Sequence, residues 1–202
     1  MQPRSEPRMK GAILAEFLRW YAARANTQSL GRLIDESPLC RQVGFVSDDP
    51  AFGLIQSAWY PASAIHWLTD ATLTPLAPSA RSALLREGVD HVTERLFRGL
   101  YSVLFTLVAT PDRYGRHIQR AWRQLHDSGE REVNLVGPGQ AVSITRDWPA
   151  HHPVLCEIVS ETTRAVFTRM KVGIVEIERS QCISRGDTMC VTKLRWQQSV
   201  QR

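Results

Sequence analysis

Apolar residues recur with a helical period through most of the first 128 residues. Ile13, Phe17 and Tyr21 share one face of a predicted amphipathic helix over 10–25. The longest such pattern covers 79–109, where leucines and valines form a wide apolar face. This part of the chain is therefore predicted to be a helical lobe.

Prolines and one threonine divide this helical part. Pro38 is predicted to stop a short helix over 29–36. Pro61 suits the first position of a helix that runs to about residue 73. Thr110 is predicted to cap a further helix over 113–126. Residues 1–9 carry no periodic pattern and are predicted to be a disordered leader.

Beyond Gly129 the apolar period shortens to two, which is typical of strands. The predicted order beyond Gly129 is hairpin, helix, hairpin, and the helical lobe precedes it. This segregation of helices and hairpins indicates the α+β class rather than alternating βαβ units. We expect one domain over 10–197, made of the helical lobe 10–128 and a half of sheet and crossing helix, 129–197. The predicted elements of this half are strands at 132–136, 141–145, 173–179 and 189–196 and a helix at 153–170.

Composition narrows the function classes. The 202 residues are 43% hydrophobic and 22% charged, which suits an ordinary globular protein. The formal charge of +5 is scattered, without a basic run interleaved with aromatics, so nucleic-acid binding is not favoured. No apolar stretch approaches the ~20 residues that span a bilayer, and no signal peptide is visible. We therefore predict a cytoplasmic protein with no membrane segment and reduced cysteines.

Three cysteines are predicted to meet. Cys182 and Cys190 are symmetric about Gly186, the centre of the last predicted hairpin, and Cys156 lies at the start of the helix before it. Three thiolates and one further donor suit zinc, although buried cysteines also serve simply as core residues. The candidate fourth donors are Glu176, Glu178, His151 and His152.

Residues 122–196 resemble the C-terminal half of 4-vinyl-reductase-type sensor domains, which occur in phenol-responsive bacterial transcription activators and in stand-alone proteins. Cys156 and the hairpin run Cys-Ile-Ser-Arg-Gly-Asp-Thr-Met-Cys (182–190) carry the likeness. The resemblance implies zinc bound by three cysteines and by a glutamate three residues before the first hairpin cysteine. That position is Arg179 here, and the neighbouring carboxylate, Glu178, is taken as the candidate fourth ligand.

The chain as a whole resembles the broader superfamily of heme-nitric-oxide/oxygen-binding (H-NOX) domains. The run Met-Lys-Gly-Ala-Ile (9–13) and the order of the elements carry this likeness. It implies a ligand cavity between helical lobe and sheet. Heme would require a histidine near the start of the helix after the long one, where Gly115 stands close to the expected position and His117 follows. It would also require a Tyr-x-Ser-x-Arg clamp, which the run 142–146 lacks, so heme is not favoured.

Aromatic residues of the helical lobe are the candidate walls of that cavity, since small-molecule sites are mostly apolar with a few polar groups. No nucleophile motif, phosphate loop or zinc-protease motif is present, so an enzyme is not predicted. The candidate ligand-binding residues are Trp59, His66, Trp67, Phe97, Tyr101 and Trp122.

These observations predict a sensory module that binds a small hydrophobic or aromatic ligand, with a cysteine cluster that holds zinc or none. With no output domain visible, signalling would pass through a protein partner or a homodimer. The alternatives are an enzyme or accessory of tetrapyrrole reduction, the activity for which the resembled domain is named, and a heme-based gas sensor.

Overall fold

The protein is described by a computed structural model that covers residues 6–25, 28–98, 110–170, 172–173 and 175–197. The chain divides into two compact units. The first unit contains the described residues up to Val92 together with Leu125–Asp127, and the second contains Thr93–Gln124 and the chain from Ser128 onward. No helix in the described part is both long and apolar enough to span a membrane.

The first unit is mainly helical. A short antiparallel pair joins β1 to β2, with Met9 opposite Tyr60. Its elements are β1 (Arg8–Lys10), α1 (Ala12–Ala22), α2 (Gln28–Glu36), α3 (Pro38–Val43), β2 (Trp59–Pro61), α4 (Ala62–Thr72) and most of α5 (Pro78–Arg98).

Close packing of α5 on α1 builds part of the core of this unit. A Cβ atom added to Gly88 of α5 would lie 2.4 Å from the ring of Phe17 in α1, so only glycine permits this approach. Phe17 and Trp20, the two side chains that Gly88 approaches, are almost fully buried.

The described part of the second unit combines helices with a four-stranded antiparallel sheet whose strand order is β3-β4-β6-β5. The Thr110 hydroxyl accepts a hydrogen bond from the backbone N–H of Arg113 at 3.3 Å, which confirms the predicted N-cap. The elements are α6 (Pro111–Arg123), β3 (Glu130–Gly137), β4 (Gln140–Arg146), α7 (Pro153–Arg169), β5 (Val175–Gln181) and β6 (Cys190–Trp196).

Helix α6 lies against β3. Tyr114, Ile118 and Trp122 recur every four residues and are buried. A Cβ atom at Gly115 would lie 2.6 Å from the carbonyl oxygen of Val133, so the helix backbone comes as close to the strand as glycine allows. This packing assigns α6 to the unit of the sheet, although the sequence places it in the helical lobe 10–128.

The structure confirms the predicted α+β class and the order hairpin, helix, hairpin. Three details differ. Pro38 begins α3 behind the cap residue Ser37 as well as following α2, because a missing N–H costs nothing at a first helical position. The β1–β2 pair was not predicted. Because β1 begins at Arg8, the last two residues of the leader predicted over 1–9 belong to a strand. The helix predicted over 79–109 is observed as Pro78–Arg98, and residues 99–109 lie outside the described part.

Candidate metal centre

The turn between β5 and β6 brings two cysteines together. Cys182 follows the end of β5, and its backbone N–H donates to the carboxylate of Asp187 at 2.7 Å. A short 3-10 turn over Ile183–Arg185 then ends at Gly186, whose φ of 90° suits glycine. The chain returns at Cys190, the first residue of β6, with its Sγ 3.8 Å from that of Cys182.

The start of α7 supplies the third sulfur. His152 caps this helix, its Nδ1 accepting from the N–H of Val154 at 3.3 Å, and Pro153 occupies the first position. Cys156 therefore lies in the first turn, with its Sγ 3.7 Å from that of Cys182. All three sulfurs belong to buried residues.

His151, directly before the cap, adds a nitrogen to the cluster. Its Nε2 lies 3.6 Å from the Sγ of Cys182. The four donor atoms of His151, Cys156, Cys182 and Cys190 lie within 4.8 Å of one another. Trp148 packs edge-on against the imidazole, with the ring centroids 5.4 Å apart.

The spacing of the donor atoms matches a tetrahedral metal site rather than a disulfide. Disulfide sulfurs are about 2.05 Å apart, whereas these are 3.7 and 3.8 Å apart and the cysteines are free. A tetrahedral zinc ion with Zn–S of about 2.3 Å and Zn–N of about 2.05 Å would separate two sulfurs by about 3.8 Å and a sulfur and a nitrogen by about 3.6 Å. The residues present therefore fit zinc as a Cys3His site.

The thiols are electrostatically coupled without a metal. A hydrogen bond from the Cys156 thiol lowers the pKa of Cys190 to about 4, against the opposing effect of burial. His151 and the backbone N–H of Ile183, 3.5 Å from the Cys190 sulfur, act in the same direction. The same bond to Cys190, together with burial, raises the pKa of Cys156. The lowered pKa favours the thiolate form of Cys190, which is the form that binds metal.

Arg179 lies beside the sulfurs. Burial acts to lower the pKa of its guanidinium, but the neighbouring sulfurs of Cys156 and Cys182 and the Glu157 carboxylate together raise this pKa. Its Nη2 also lies 3.5 Å from the carboxylate of Glu157. Zinc with three thiolates and a neutral imidazole carries one negative charge, and this guanidinium would offset it.

The structure brings the three predicted cysteines together with His151, and Glu178 does not belong to this group. Glu178 is exposed on β5 opposite Lys193, while Arg179 is opposite the buried Thr192. Since alternate residues of a strand face opposite sides, the carboxylate points away from the cluster. The fourth candidate donor in the cluster is His151, which the sequence offered as one of four candidates.

The predicted pocket residues are divided between the two units. Trp59 in β2 and His66 and Trp67 in α4 are partly exposed in the first unit. Trp122 is buried in the second, where its Nε1 donates to the carbonyl of Ser128 at 2.9 Å. The side chain of Phe97 and all of Tyr101 lie outside the described part. The pocket stays a prediction.

One aromatic chain links Trp122 to the metal centre. Trp122 packs edge-to-face against Trp148, with ring centroids 5.1 Å apart, and Trp148 in turn packs on His151. Such pairs stabilise by about 0.5–1.5 kcal/mol beyond their area burial, so this chain of rings is a defined part of the core. No motif or apolar period marks Trp148, so its role could not be predicted from the sequence.

No family model and no curated protein sequence matches the chain. Solved structures do. An H-NOX protein from S. oneidensis in the Fe(II)NO ligation state is 14% identical with a TM-score of 0.64, over 94% of this chain and 99% of that one. The Fe(II) unliganded H-NOX protein from K. algicida is 14% identical with a TM-score of 0.67, over 96% and 100%.

A second kind of protein is also similar. A trafficking protein particle complex subunit 3 from Naegleria fowleri, covalently bound to palmitic acid, is 13% identical with a TM-score of 0.52, over 70% of this chain and 95% of that one. At these identities the similarity concerns the fold. The chain therefore has an H-NOX-like α+β fold.

Proposed function

We propose that this chain is a small-molecule-binding sensory module of the 4-vinyl-reductase type, with a structural zinc site. The observation that carries the proposal is the convergence of Cys156, Cys182 and Cys190 on an H-NOX fold. The sequence resemblance rests on these three residues, and the fold likeness is independent of them. Both point to the same class of ligand-binding domain.

Zinc in this site would join α7 to the β5–β6 hairpin. Four protein donors complete a tetrahedral shell, which is the arrangement of structural rather than catalytic zinc, because catalytic sites keep a position for water or substrate. The burial of the three cysteines agrees with a closed site. No bond-making role is proposed for it.

Heme does not fit the residues present, although the H-NOX neighbours favour it as an alternative. The expected ligand position near the start of α6 holds Gly115, where a Cβ atom would already meet the Val133 carbonyl at 2.6 Å. Arg146, the arginine of the run that would supply the clamp, is instead exposed and paired with Glu130 and Glu132 at 2.9 Å. We therefore propose a ligand other than heme.

The proposed ligand is a small hydrophobic or aromatic molecule. The S. oneidensis H-NOX protein was solved in an Fe(II)NO ligation state and the trafficking subunit carries palmitic acid, so proteins of this fold hold ligands of different size. The proposed lining is the set named from the sequence, of which Trp122 is linked through Trp148 to His151. A ligand at Trp122 would thereby act on the hairpin, from which a protein partner or a second copy would take the signal.

Metal content and absorption spectra of the purified full-length chain test the proposal. We expect near-stoichiometric zinc by elemental analysis and no Soret band after incubation with hemin and desalting. Protein without zinc would overturn the metal assignment, and a stoichiometric Soret band would establish the gas-sensor alternative. Spectral change of an added vinyl-tetrapyrrole in the presence of a reductant would establish the reductase alternative.

Affinity for neutral apolar ligands tests the sensory part separately. Titration with phenol and with longer alkylphenols, followed by tryptophan fluorescence, should show saturable binding that is weakened in Trp122→Ala. Absence of saturation over the whole series would contradict the binding function, whatever the zinc content.

A further inference from the structure

A buried arginine that does not belong to the metal centre, Arg131, lies on β3. Arg131 is 6% exposed, and its Nη2 donates to the neutral hydroxyl of Thr163. Its guanidinium lies 5.6 Å from the ring centroid of Trp122. Its Nε is buried and has no hydrogen-bond partner among the described residues. Since a guanidinium keeps its charge in proteins, this is a buried cation.

No side-chain carboxylate of the protein balances this cation. All 20 acidic residues fall within the described part of the chain, and none forms an ion pair with Arg131. Arg164 is a buried arginine of the same unit that is paired with a carboxylate. It is 8% exposed, and its Nε donates to the carboxylate of Glu161 at 2.7 Å. A buried charge without a partner is strongly destabilising, so the bare guanidinium of Arg131 calls for an anion from outside the chain.

Two residues that contact Arg131 or Trp122 also carry an unused donor. The Oε1 of Gln119 accepts the backbone N–H of Arg131 at 2.6 Å, while its Nε2 is buried without a partner among the described residues. Ser128 accepts the Trp122 indole N–H at its carbonyl, and its buried hydroxyl likewise lacks a partner there. Buried polar groups are nearly always satisfied, so three orphans around one tryptophan indicate a missing acceptor.

We infer that Arg131 binds the carboxylate of an apolar organic acid whose body lies against Trp122. This inference rests on the proposed ligand-binding function and names the chemistry of the ligand. The guanidinium fork matches a carboxylate in geometry and charge, and the amide of Gln119 offers a neighbouring donor. The carboxylate can belong to a fatty acid or to an aromatic acid. The first would pack an alkyl chain against Trp122, and the second would pack an aromatic ring there.

Matched acids and esters test the inference on the full-length protein. Dodecanoate and 4-tert-butylbenzoate, each beside its methyl ester, are titrated by calorimetry and tryptophan fluorescence. We expect at least one acid to bind ten or more times tighter than its ester. In Arg131→Met the acid should lose ten-fold or more in affinity while the ester is unchanged. The acid that binds tighter identifies the source of the carboxylate.

Arg164→Met is the matched control, because it removes the other buried guanidinium of the unit but leaves Arg131 in place. It should keep the preference for acid over ester and unfold at a lower temperature, since Glu161 loses its partner. Arg131→Met should unfold at an equal or higher temperature without ligand, because it removes an unpaired charge. Should Arg131→Met not fold, Arg131→Lys keeps the charge without the fork and should still weaken acid binding.

Three results would overturn the inference. They are equal affinity for acid and ester, unchanged acid binding in the Arg131 variants, and binding of esters or alkylphenols without any binding of acids. The last leaves the proposed function standing, whereas failure of acids, esters and alkylphenols alike contradicts both.

Discussion

Replacing Cys182 by serine tests the metal centre directly, because the distances from its sulfur to all three other donors match those of a tetrahedral zinc shell. It lies 3.7 Å from Cys156, 3.8 Å from Cys190 and 3.6 Å from His151. Serine keeps the size of the side chain but is a poor zinc ligand, so the change removes one of four bonds with little change in packing.

The expected loss follows from the linkage of binding and folding. If the substitution weakens zinc binding a thousandfold, the free energy of unfolding falls by about 4 kcal/mol when the metal was in excess. An ordinary core substitution of this size costs about 1 kcal/mol. For a protein of this length each kcal/mol shifts the unfolding temperature by about 2–4 °C, so we expect a decrease of about 8–16 °C rather than 2–4 °C.

The assay is thermal unfolding followed by circular dichroism, with zinc content measured on the same samples. Cys40→Ser is the matched control, since Cys40 is a fully buried cysteine of α3 in the first unit and outside the cluster. It should retain zinc and lose only the amount of an ordinary core change. A Cys182→Ser protein that keeps its zinc, or that unfolds at the temperature of Cys40→Ser, would refute the role of the cluster.

Two other sites give paired tests. His151→Ala should reduce zinc retention during dialysis against a chelator. His152→Ala should retain zinc, and its free energy of unfolding should fall by about 1 kcal/mol because the N-cap of α7 is lost. Equal retention of zinc in the two variants would contradict the Cys3His assignment. Gly115→Ala should lower the free energy of unfolding in urea by about 1–3 kcal/mol, because its Cβ would lie 2.6 Å from the Val133 carbonyl. Gly137→Ala is its control, since a Cβ there meets nothing within 4 Å, and similar losses for the two glycines would show that α6 does not pack on β3 as described.

Much of the fold was predictable because its signals are local. The period of two and the glycines at 137, 139 and 186 placed both hairpins of the second unit within a few residues of their observed bounds. Thr110 identified the start of α6 by capping chemistry alone. The β1–β2 pair escaped prediction because each strand has three residues, too few for a period to show.

The sequence by itself determined the α+β class, the strand order along the chain and the three cysteines, since these depend on period, turn residues and symmetry about one glycine. Only the tertiary structure decided which donor completes the cluster. His151 precedes α7 and Glu178 lies on β5, and the sequence spacing does not define which of the two side chains faces the sulfurs. The tertiary structure alone also showed that Arg164 has a carboxylate partner and that Arg131 has none. Both are arginines in amphipathic segments, and the presence or absence of a carboxylate within reach depends on how the segments pack.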